Sequence, residues 1–147
     1  MGFSYDDYLW GRLVYDHAVP SGGYGEDVAR YFDYDWRGLP SQRADVFGGG
    51  FEPDFSTEYP AYDLQGNLLE MIYPSFHQVN YAYGPGGNLS SIAFEGAPLM
   101  DSFEYAAHGA VTRMQLHGPD GESAAWEQSF NNRNWPAGIS VNNGSLS

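Results

Sequence analysis

Apolar and polar residues alternate over short stretches of the chain, and turn-forming residues separate these stretches. Aromatic side chains stand two positions apart in Phe32/Tyr34, Tyr81/Tyr83 and Phe103/Tyr105. Because successive side chains of a strand point to opposite faces, both aromatics of each pair lie on one face of a predicted strand. The longer period of an amphipathic helix does not occur. The pattern therefore predicts an all-β chain of many short strands.

Each of these strands ends in an aromatic residue, here called the anchor, that begins a repeated unit. The anchors are Tyr34, Tyr62, Tyr83, Tyr105 and Phe130. Four residues after them stand Gly38, Gly66, Gly87, Gly109 and Asn134. Gly and Asn are the residue types that most readily adopt a positive φ, and the Asp or Asn that follows three anchors can accept backbone N–H groups two residues ahead. Each unit therefore predicts a strand, a turn and a second strand.

A second apolar pattern follows each turn. Its positions are Leu68/Met71/Tyr73, Leu89/Ile92/Phe94, Val111/Met114/Leu116 and Pro136/Ile139/Val141. Return turns are predicted at 73–78, 94–100 and 117–123. An isolated hairpin is marginally stable in water, whereas stacked hairpins bury their aromatic faces together. The chain therefore predicts tandem β-hairpins in one curved antiparallel sheet strip.

The copies of the unit are unequal, which suggests an organisation for the chain. Residues 1–29 hold a divergent copy at 5–15 and an insertion at 17–27. Residues 30–141 hold the repeats, where Arg43 and Asp45 interrupt the apolar pattern and 45–60 is predicted to be an inserted loop. Residues 142–147 form a polar tail that we expect to fray.

Several of the repeated frames resemble the YD repeat of Rhs proteins. They are YDWRGLP (34–40), YDLQGNL (62–68) and YGPGGNL (83–89). The family pattern is an aromatic, Asp, two variable residues, Gly, then Asn or Arg and Leu. The resemblance covers about residues 30–141, and several copies in phase make it specific. Gly84 and Ala106 replace the Asp, and Asn134 replaces the Gly, at individual turns.

The resemblance implies a sheet strip that spirals into a hollow shell, as in bacterial Rhs proteins and insecticidal Tc toxin subunits, where the shell encloses a toxic domain. In the similar teneurins a barrel of this kind belongs to a cell-surface adhesion protein. The repeats in these proteins carry no catalysis. A complete shell needs many more repeats, so the resemblance implies a fragment of the repeat shell. It also implies a secreted or cell-surface bacterial protein, with the rest of the shell and its enclosed effector domain as partners.

Charge and hydropathy restrict the partners. The net charge is −13 and all six basic residues are Arg, so the chain lacks the basic stripe that nucleic acids and anionic membranes require. The first residues do not resemble a signal peptide, and no apolar run reaches the roughly 18 residues of a membrane-spanning helix. We therefore expect no nucleic-acid binding and no membrane insertion.

Candidate chemical groups are scattered. The four histidines, His17, His77, His108 and His117, show no HxH or HExxH spacing and are interpreted as surface or turn residues. The adjacent carboxylates Asp6/Asp7, Glu26/Asp27 and Asp33/Asp35 are interpreted as solvated turn residues rather than an acid/base pair. GPDGES (118–123) is interpreted as a tight turn rather than a cation loop. The chain has no Cys and no GxSxG. We assign no catalytic, cofactor-binding or metal-binding residue, and predict no enzyme activity.

The tryptophans leave one alternative function open. Exposed aromatics on a β-surface can stack on sugar rings, and the residues concerned are Trp10, Trp36, Trp126 and Trp135. The favoured interpretation is that they pack between neighbouring hairpins, since aromatics dominate core energetics. The alternative hypothesis is a carbohydrate- or cell-surface-binding module. Unpaired strand edges at both ends also predict self-association.

Overall fold

The computed structural model describes residues 2–5, 12–18, 27–48 and 52–143, and in these ranges the chain is all-β, as predicted. The strands are β1 (Gly2–Tyr5), β2 (Leu13–Ala18), β3 (Val28–Tyr34), β4 (Pro40–Phe47), β5 (Phe55–Tyr62), β6 (Leu68–Ile72), β7 (Gln78–Tyr83), β8 (Leu89–Phe94), β9 (Ala97–Tyr105), β10 (Val111–His117), β11 (Ser123–Phe130) and β12 (Pro136–Asn143). Within this part of the chain no helix is long and apolar enough to cross a membrane.

The chain divides into two compact units, residues 1–77 and 78–147. Strands β1 to β6 belong to the first unit and β7 to β12 to the second, and within each unit consecutive strands pair in antiparallel fashion. The predicted series of consecutive hairpins is therefore confirmed in both units. Within a hairpin, the strand that ends at an anchor is called the incoming strand, and the strand after the turn is called the outgoing strand.

The buried residues of the first unit lie on one face of β4. Val46 is 2% exposed, and Ala44, two positions earlier on the same face, is also buried. Tyr15 pairs with Tyr31 and Tyr31 with Ala44, so these side chains form a row across three strands. The two tyrosine rings lie 5.1 Å apart. The small residue Ala44 leaves room for the neighbouring Tyr31 ring.

The second unit has one row of apolar side chains and one of polar ones. Trp126 pairs with Met114 on one side and with Val141 on the other, and its side chain is half-buried. On the opposite face Gln115 pairs with Ala125, and both are buried. Neither amide atom of Gln115 has a hydrogen-bond partner among the described residues. An unsatisfied buried amide destabilises a fold by about 1–3 kcal/mol, so a Gln is not expected at a buried position. Sequence periodicity therefore did not identify Gln115 as buried.

The six hairpins of the described chain contain the same one-residue bulge. Each anchor pairs with the first residue of the outgoing strand, and the residue before the anchor pairs with the third residue of that strand. The second residue of the outgoing strand therefore stays unpaired. The unpaired residues are Val14, Ser41, Leu69, Ser90, Thr112 and Ala137. A bulge shifts the side-chain alternation by one position. It therefore explains why the apolar residues after each turn are spaced three and then two positions apart.

The same register occurs in the hairpin of β1 and β2. Tyr5 pairs with Leu13, and Ser4 pairs with Tyr15, as at the other anchors. The separation from Tyr5 to Leu13 is two residues longer than from Tyr34 to Pro40, which matches the two extra turn residues read from the sequence. Residues 6–11 of that turn lie outside the described residues.

The prediction of an inserted loop at 45–60 is wrong at both ends. Strand β4 continues through Phe47 and β5 begins at Phe55, so only 48–54 connects them. Arg43 and Asp45 interrupt the apolar pattern because they form ionic contacts on one face of the sheet. Asp45 pairs with Arg30 across the strands, with 2.9 Å between Arg30 Nε and Asp45 Oδ1, and lies 2.8 Å from Arg43 Nη2. Cross-strand opposite charges therefore replace apolar pairs in this hairpin.

Two further predicted irregular segments are partly strand. Strand β2 continues to Ala18, inside the predicted insertion at 17–27, and β12 continues to Asn143, inside the predicted tail at 142–147. Residues 19–26 and 144–147 lie outside the described residues. The strands extend because backbone pairing with a neighbour, rather than side-chain hydropathy, determines where a strand ends.

Candidate functional site: repeated turns and tyrosine hydroxyl contacts

Seven turns share one backbone hydrogen-bond pattern. The N–H of the first residue donates to the carbonyl of the fifth, and the N–H of the fourth donates to the carbonyl of the first. The turns begin at residues 35, 63, 73, 84, 106, 118 and 131. The fourth residue has a positive φ in each, for example 90° at Gly66 and 61° at Asn134. This geometry is a type I turn followed by a left-handed residue, which explains the recurring Gly.

The predicted return turns take two forms. Those at 73–77 and 118–122 use the shared pattern, with Phe76 at φ 63° and Gly121 at 81° in the left-handed position. The prediction that GPDGES forms a tight turn is therefore confirmed. The return turn after β8 contains only Glu95 and Gly96 between paired residues, with φ of 51° and 78°. Two consecutive positive φ values are typical of a type I′ hairpin turn.

The first residue of three turns also accepts hydrogen bonds through its side chain. Oδ1 of Asp63 accepts the backbone N–H groups of Gln65 at 2.9 Å and of Asn67 at 2.8 Å. Asp35 and Asn131 do the same in their own turns. The predicted turn-starting role of Asp and Asn is therefore confirmed. The turns that begin with Gly84 and Ala106 keep the backbone pattern, so the side chain reinforces a turn that the backbone already forms.

These contacts shift the carboxyl pKa values of the turns. The Asn67 side-chain amide lowers the pKa of Asp63 most, against the opposing effect of partial desolvation, and backbone N–H groups lower it further. For Asp35, desolvation has the largest single effect and raises the pKa, but hydrogen bonds from Leu39 and Arg37 together outweigh it and the pKa is lowered. Both groups are thus held as carboxylates that accept hydrogen bonds.

Three anchor tyrosines connect one hairpin to the preceding one. The hydroxyl of Tyr34 donates to the Leu13 carbonyl at 2.6 Å, that of Tyr62 to the Pro40 carbonyl at 2.6 Å, and that of Tyr105 to the Leu89 carbonyl at 2.7 Å. Each acceptor is the first residue of the preceding outgoing strand. Hydrophobic periodicity treated the anchors as core aromatics and did not reveal this role. The signal was the preference for Tyr over Phe at four of the five anchors.

Burial keeps two of these donors protonated. Desolvation raises the pKa of the Tyr105 phenol. Desolvation also has the largest effect on Tyr62, whose pKa is raised further by the Tyr59 phenol and by the Asp35 carboxylate. A phenol that stays protonated above its ordinary pKa remains a hydrogen-bond donor. The last anchor, Phe130, has no hydroxyl, and its ring instead packs edge-on against His108 with 4.8 Å between centroids.

Arginine side chains support the turns of the first unit. Arg37 Nε lies 3.0 Å from Asp35 Oδ2, and Arg37 Nη1 donates to the Asp63 carbonyl at 2.8 Å. Its guanidinium also stands 5.8 Å from the Tyr62 ring centroid, and Arg12 stands 5.4 Å from that of Tyr34. Arg37 occupies a variable position of the repeat, so nothing in the repeat pattern identified it as a link between two turns.

The four histidines have different local surroundings. His117 Nε2 is 3.1 Å from Asp101, and His17 Nε2 is 3.9 Å from Asp27. Their positions at the ends of β10 and β2 show that these two are strand residues rather than turn residues. His77 is exposed in its turn and His108 packs on Phe130. In the described ranges no three His, Asp or Glu side chains group as metal ligands.

The structure describes three of the six carboxylate candidates. Asp33, on β3, pairs with Gln42 of β4, and Asp35 caps the next turn, and both carboxylates line one cavity of the first unit. Asp27 lies next to His17, while its predicted neighbour Glu26 and the pair Asp6/Asp7 lie outside the described residues. Of the two carboxylates at the cavity, Asp35 is engaged by the N–H groups of its own turn.

The tryptophans differ in exposure. Trp126 packs between hairpin strands, as the favoured interpretation stated, but that interpretation is wrong for Trp36 and Trp135, which are 90% and 62% exposed. Both belong to turns, where a side chain projects beyond the sheet and no neighbouring strand covers it. Trp10 lies outside the described residues.

A cavity in the first unit stands beside the Trp36 turn. It has a volume of about 390 Å³ and is lined in part by Asp33, Glu58, Tyr59 and Tyr62. Asp33 and Glu58 each pair with Gln42, which places three polar side chains in one row across three strands. Carboxylates beside phenol rings are suited to bind ligands that carry hydroxyl groups.

Comparison with known proteins adds no relative: no protein-family model matches the chain, and no curated protein matches it significantly. The resemblance to the YD repeat therefore stands on the residues of the repeated frames alone.

Adjacent glycines in one turn allow a test of the left-handed position. Gly87 has φ 77°, whereas its neighbour Gly86 lacks a positive φ, and a Cβ at either position meets no atom within 4 Å. We expect Gly87→Ala to lower the free energy of unfolding by about 1 kcal/mol from backbone strain alone. The matched control Gly86→Ala should leave it unchanged or slightly raised. Urea denaturation measures both, and equal effects would contradict the conformational explanation.

The pH dependence of stability tests the capping carboxylate. Because the pKa of Asp63 is below its ordinary value of 3.8, its contribution is fully present above that value and is lost as the pH falls through the lowered pKa. We expect Asp63→Asn to reduce the loss of stability between pH 7 and pH 3.

Asn preserves the backbone-accepting oxygen, as Asn131 does naturally, so Asp63→Ala should lower the free energy of unfolding more than Asp63→Asn does at pH 7. Chemical denaturation across the pH range measures both effects. Asp120→Asn controls for the loss of one negative charge at an exposed turn position. An unchanged pH profile in Asp63→Asn would contradict the assignment.

Removal of a single hydroxyl tests the contacts between hairpins. We expect Tyr105→Phe to lower the free energy of unfolding by about 1 kcal/mol, because the Leu89 carbonyl loses its donor while the ring remains. Tyr31→Phe is the matched control, since the Tyr31 hydroxyl has no hydrogen bond with any described residue and its ring contact with Tyr15 is kept. Thermal unfolding of the two variants measures the difference, and equal losses would refute the role of the hydroxyl.

Proposed function

We propose that this chain is a structural YD-repeat segment with no catalysis of its own. The observation that carries the proposal is that one hairpin, with the same bulge and turn, recurs along the chain, and that anchor tyrosines bond hairpins to the ones before them. In repeat proteins each unit contacts only its neighbours, and stability comes from these shared interfaces. A chain built in this way is suited to extend a wall.

The use of polar groups supports a structural role. The Asp35 and Asp63 carboxylates are occupied by turn amides, and the Tyr hydroxyls by carbonyls of neighbouring hairpins. Arg30 and Arg113 lie between carboxylates on adjacent strands. Asp35 and Tyr62 both line the cavity of the first unit, but the Asp35 carboxylate already accepts the Leu39 N–H and the Tyr62 hydroxyl already donates to the Pro40 carbonyl.

The resemblance to Rhs proteins extends the proposal to a biological setting. The segment would form wall in an Rhs-like shell that encapsulates or presents a toxin, effector or cell-surface domain, in a secreted or cell-surface protein. The net charge of −13 favours solubility of an aromatic-rich surface.

The experiment that tests this function is to identify the polypeptide in its source cells. Antibodies raised against the chain would be used for immunoblotting of cell and secreted fractions, and mass spectrometry would map the captured polypeptide. We expect a polypeptide with many further repeats and a segment that resists protease until the shell is denatured. A product of only these residues, retained inside the cell, would refute the shell proposal.

The second candidate is a carbohydrate- or cell-surface-binding module, which the exposed Trp36 and the adjacent acidic cavity favour. Trp36 offers an uncovered ring, and Glu58 and Tyr59 line the cavity within the same unit. Rings that stack on sugars, combined with carboxylates that accept hydroxyl protons, are suitable for glycan recognition.

A glycan-binding screen separates this candidate from the structural one. Saturable binding that falls at least about tenfold in Trp36→Ala, an effect of about 1.4 kcal/mol, would support glycan recognition at this turn. Trp135→Ala is the matched control, because that side chain is also exposed on a turn but lies in the second unit. Absence of binding across the screen would remove the second candidate and leave the structural proposal in place.

A further inference from the structure

Strand β12 ends the described part of the second unit with an exposed edge. All of its residues, Pro136 to Asn143, are exposed. It pairs with β11 on one side, and on its other side no described residue pairs with it. Ile139 and Val141 remain 65% and 56% exposed. An apolar edge strand with free backbone groups favours the addition of a further strand.

The other outgoing strands show which kind of strand can pair with this edge of β12. Strands β2, β4, β8 and β10 each pair next with the incoming strand of the following hairpin. In three of these pairs a tyrosine at the anchor donates to the first residue of the outgoing strand. Pro136 is the first residue of β12, the position that Pro40 holds in β4. The Pro136 carbonyl is therefore the corresponding acceptor, and no described side chain donates to it.

Strand β1 has the complementary features. It is an incoming strand that pairs with β2 on one side, and no described residue pairs with its other side. Tyr5 holds the anchor position of its backbone register, opposite Leu13. Four outgoing strands pair with an antiparallel incoming strand, and in three of these pairs the anchor is a hydrogen-bonding tyrosine. Strand β1 of another molecule has both features.

We propose that β1 of a second copy of this chain adds to the outer edge of β12, so that copies associate head to tail. The inference rests on the proposed function, because it extends the interface that joins successive hairpins within the chain. The contact joins two different surfaces, so each added copy presents a new β12 edge and the assembly grows rather than stopping at a dimer.

The register of this contact follows from the pairs within the chain. Counting on from Tyr15 opposite Tyr31, and from Arg113 opposite Glu127, places the first outgoing residue opposite the residue before the anchor. Counting on from Gln42 opposite Glu58, and from Ile92 opposite Met100, places it one residue earlier. The first register places Gly138 opposite Gly2 of the second copy, and the second register places Ala137 opposite Gly2. Association through either register should be specific enough to trap by a covalent cross-link.

The test uses the absence of cysteine from the chain. Gly2→Cys and Gly138→Cys would be made as separate single-cysteine proteins, and each would be oxidised alone and in an equal mixture. A Cβ at Gly138 meets only the Ser129 hydroxyl at 3.3 Å, and Ser129 is exposed, so the side chain has room to turn away. We expect a disulfide between the two proteins in the mixture, in at least about tenfold excess over either homodimer.

Other products would overturn the proposal. A homodimer of Gly138→Cys alone would mean that β12 pairs with itself, and a homodimer of Gly2→Cys alone would mean that β1 does. If no disulfide forms in any sample, and the pair Gly2→Cys with Ala137→Cys, which tests the second register, also forms none, the head-to-tail contact does not exist. Circular dichroism of each single variant confirms that the strands are intact before oxidation.

Sedimentation of the cysteine-free protein gives a second readout. We expect the weight-average mass to rise continuously with concentration and to be reduced at each concentration by Tyr5→Phe. A constant monomer mass, or a limit at the dimer, would overturn the proposal. Either result leaves the proposed shell function to be decided by the size of the polypeptide in its source cells, so the two ideas fail separately.

Discussion

The closing of each turn by two backbone hydrogen bonds, with a residue of positive φ in the fourth position, is the constraint on which the other features depend. It sets the register of a hairpin, and register decides which side chains share a face. The five turns that follow Tyr34, Tyr62, Tyr83, Tyr105 and Phe130 close in the same way, so the bulges of these hairpins fall at the same place and the anchors occupy equivalent positions.

Equivalent anchor positions allow one hairpin to be bonded to another. A tyrosine hydroxyl reaches the carbonyl that begins the preceding outgoing strand only if both hairpins have the same register. The contact therefore couples neighbouring hairpins by hydrogen bonding as well as by apolar packing. Phe130 shows that packing alone can maintain the position, since its ring contacts His108 in place of a hydroxyl bond. A wall of successive hairpins requires such coupling, and a strand added at a sheet edge would form the same contact.

The ionic contacts have a secondary role in this arrangement. Arg30 lies between Asp16 and Asp45, and Arg113 between Glu104 and Glu127, on successive strands. Partly exposed pairs of this kind contribute only about 0–1 kcal/mol each. Opposite charges directly across a strand pair nevertheless favour one register over a slipped one, because a shift by one residue separates them. Their effect is to specify pairing more than to stabilise it.

The amino-acid sequence by itself determined the all-β class and the positions of the described turns. These features depend on local chemistry: Gly or Asn at a positive φ, Asp or Asn as a side-chain cap, and alternation along a strand. Only the tertiary structure decided that Arg43 and Asp45 continue β4, that Trp36 and Trp135 face solvent, that Gln115 is buried, and that Tyr34, Tyr62 and Tyr105 donate to the preceding hairpin. Each of these depends on which strand lies beside which and in what register, and residues distant along the chain decide that together.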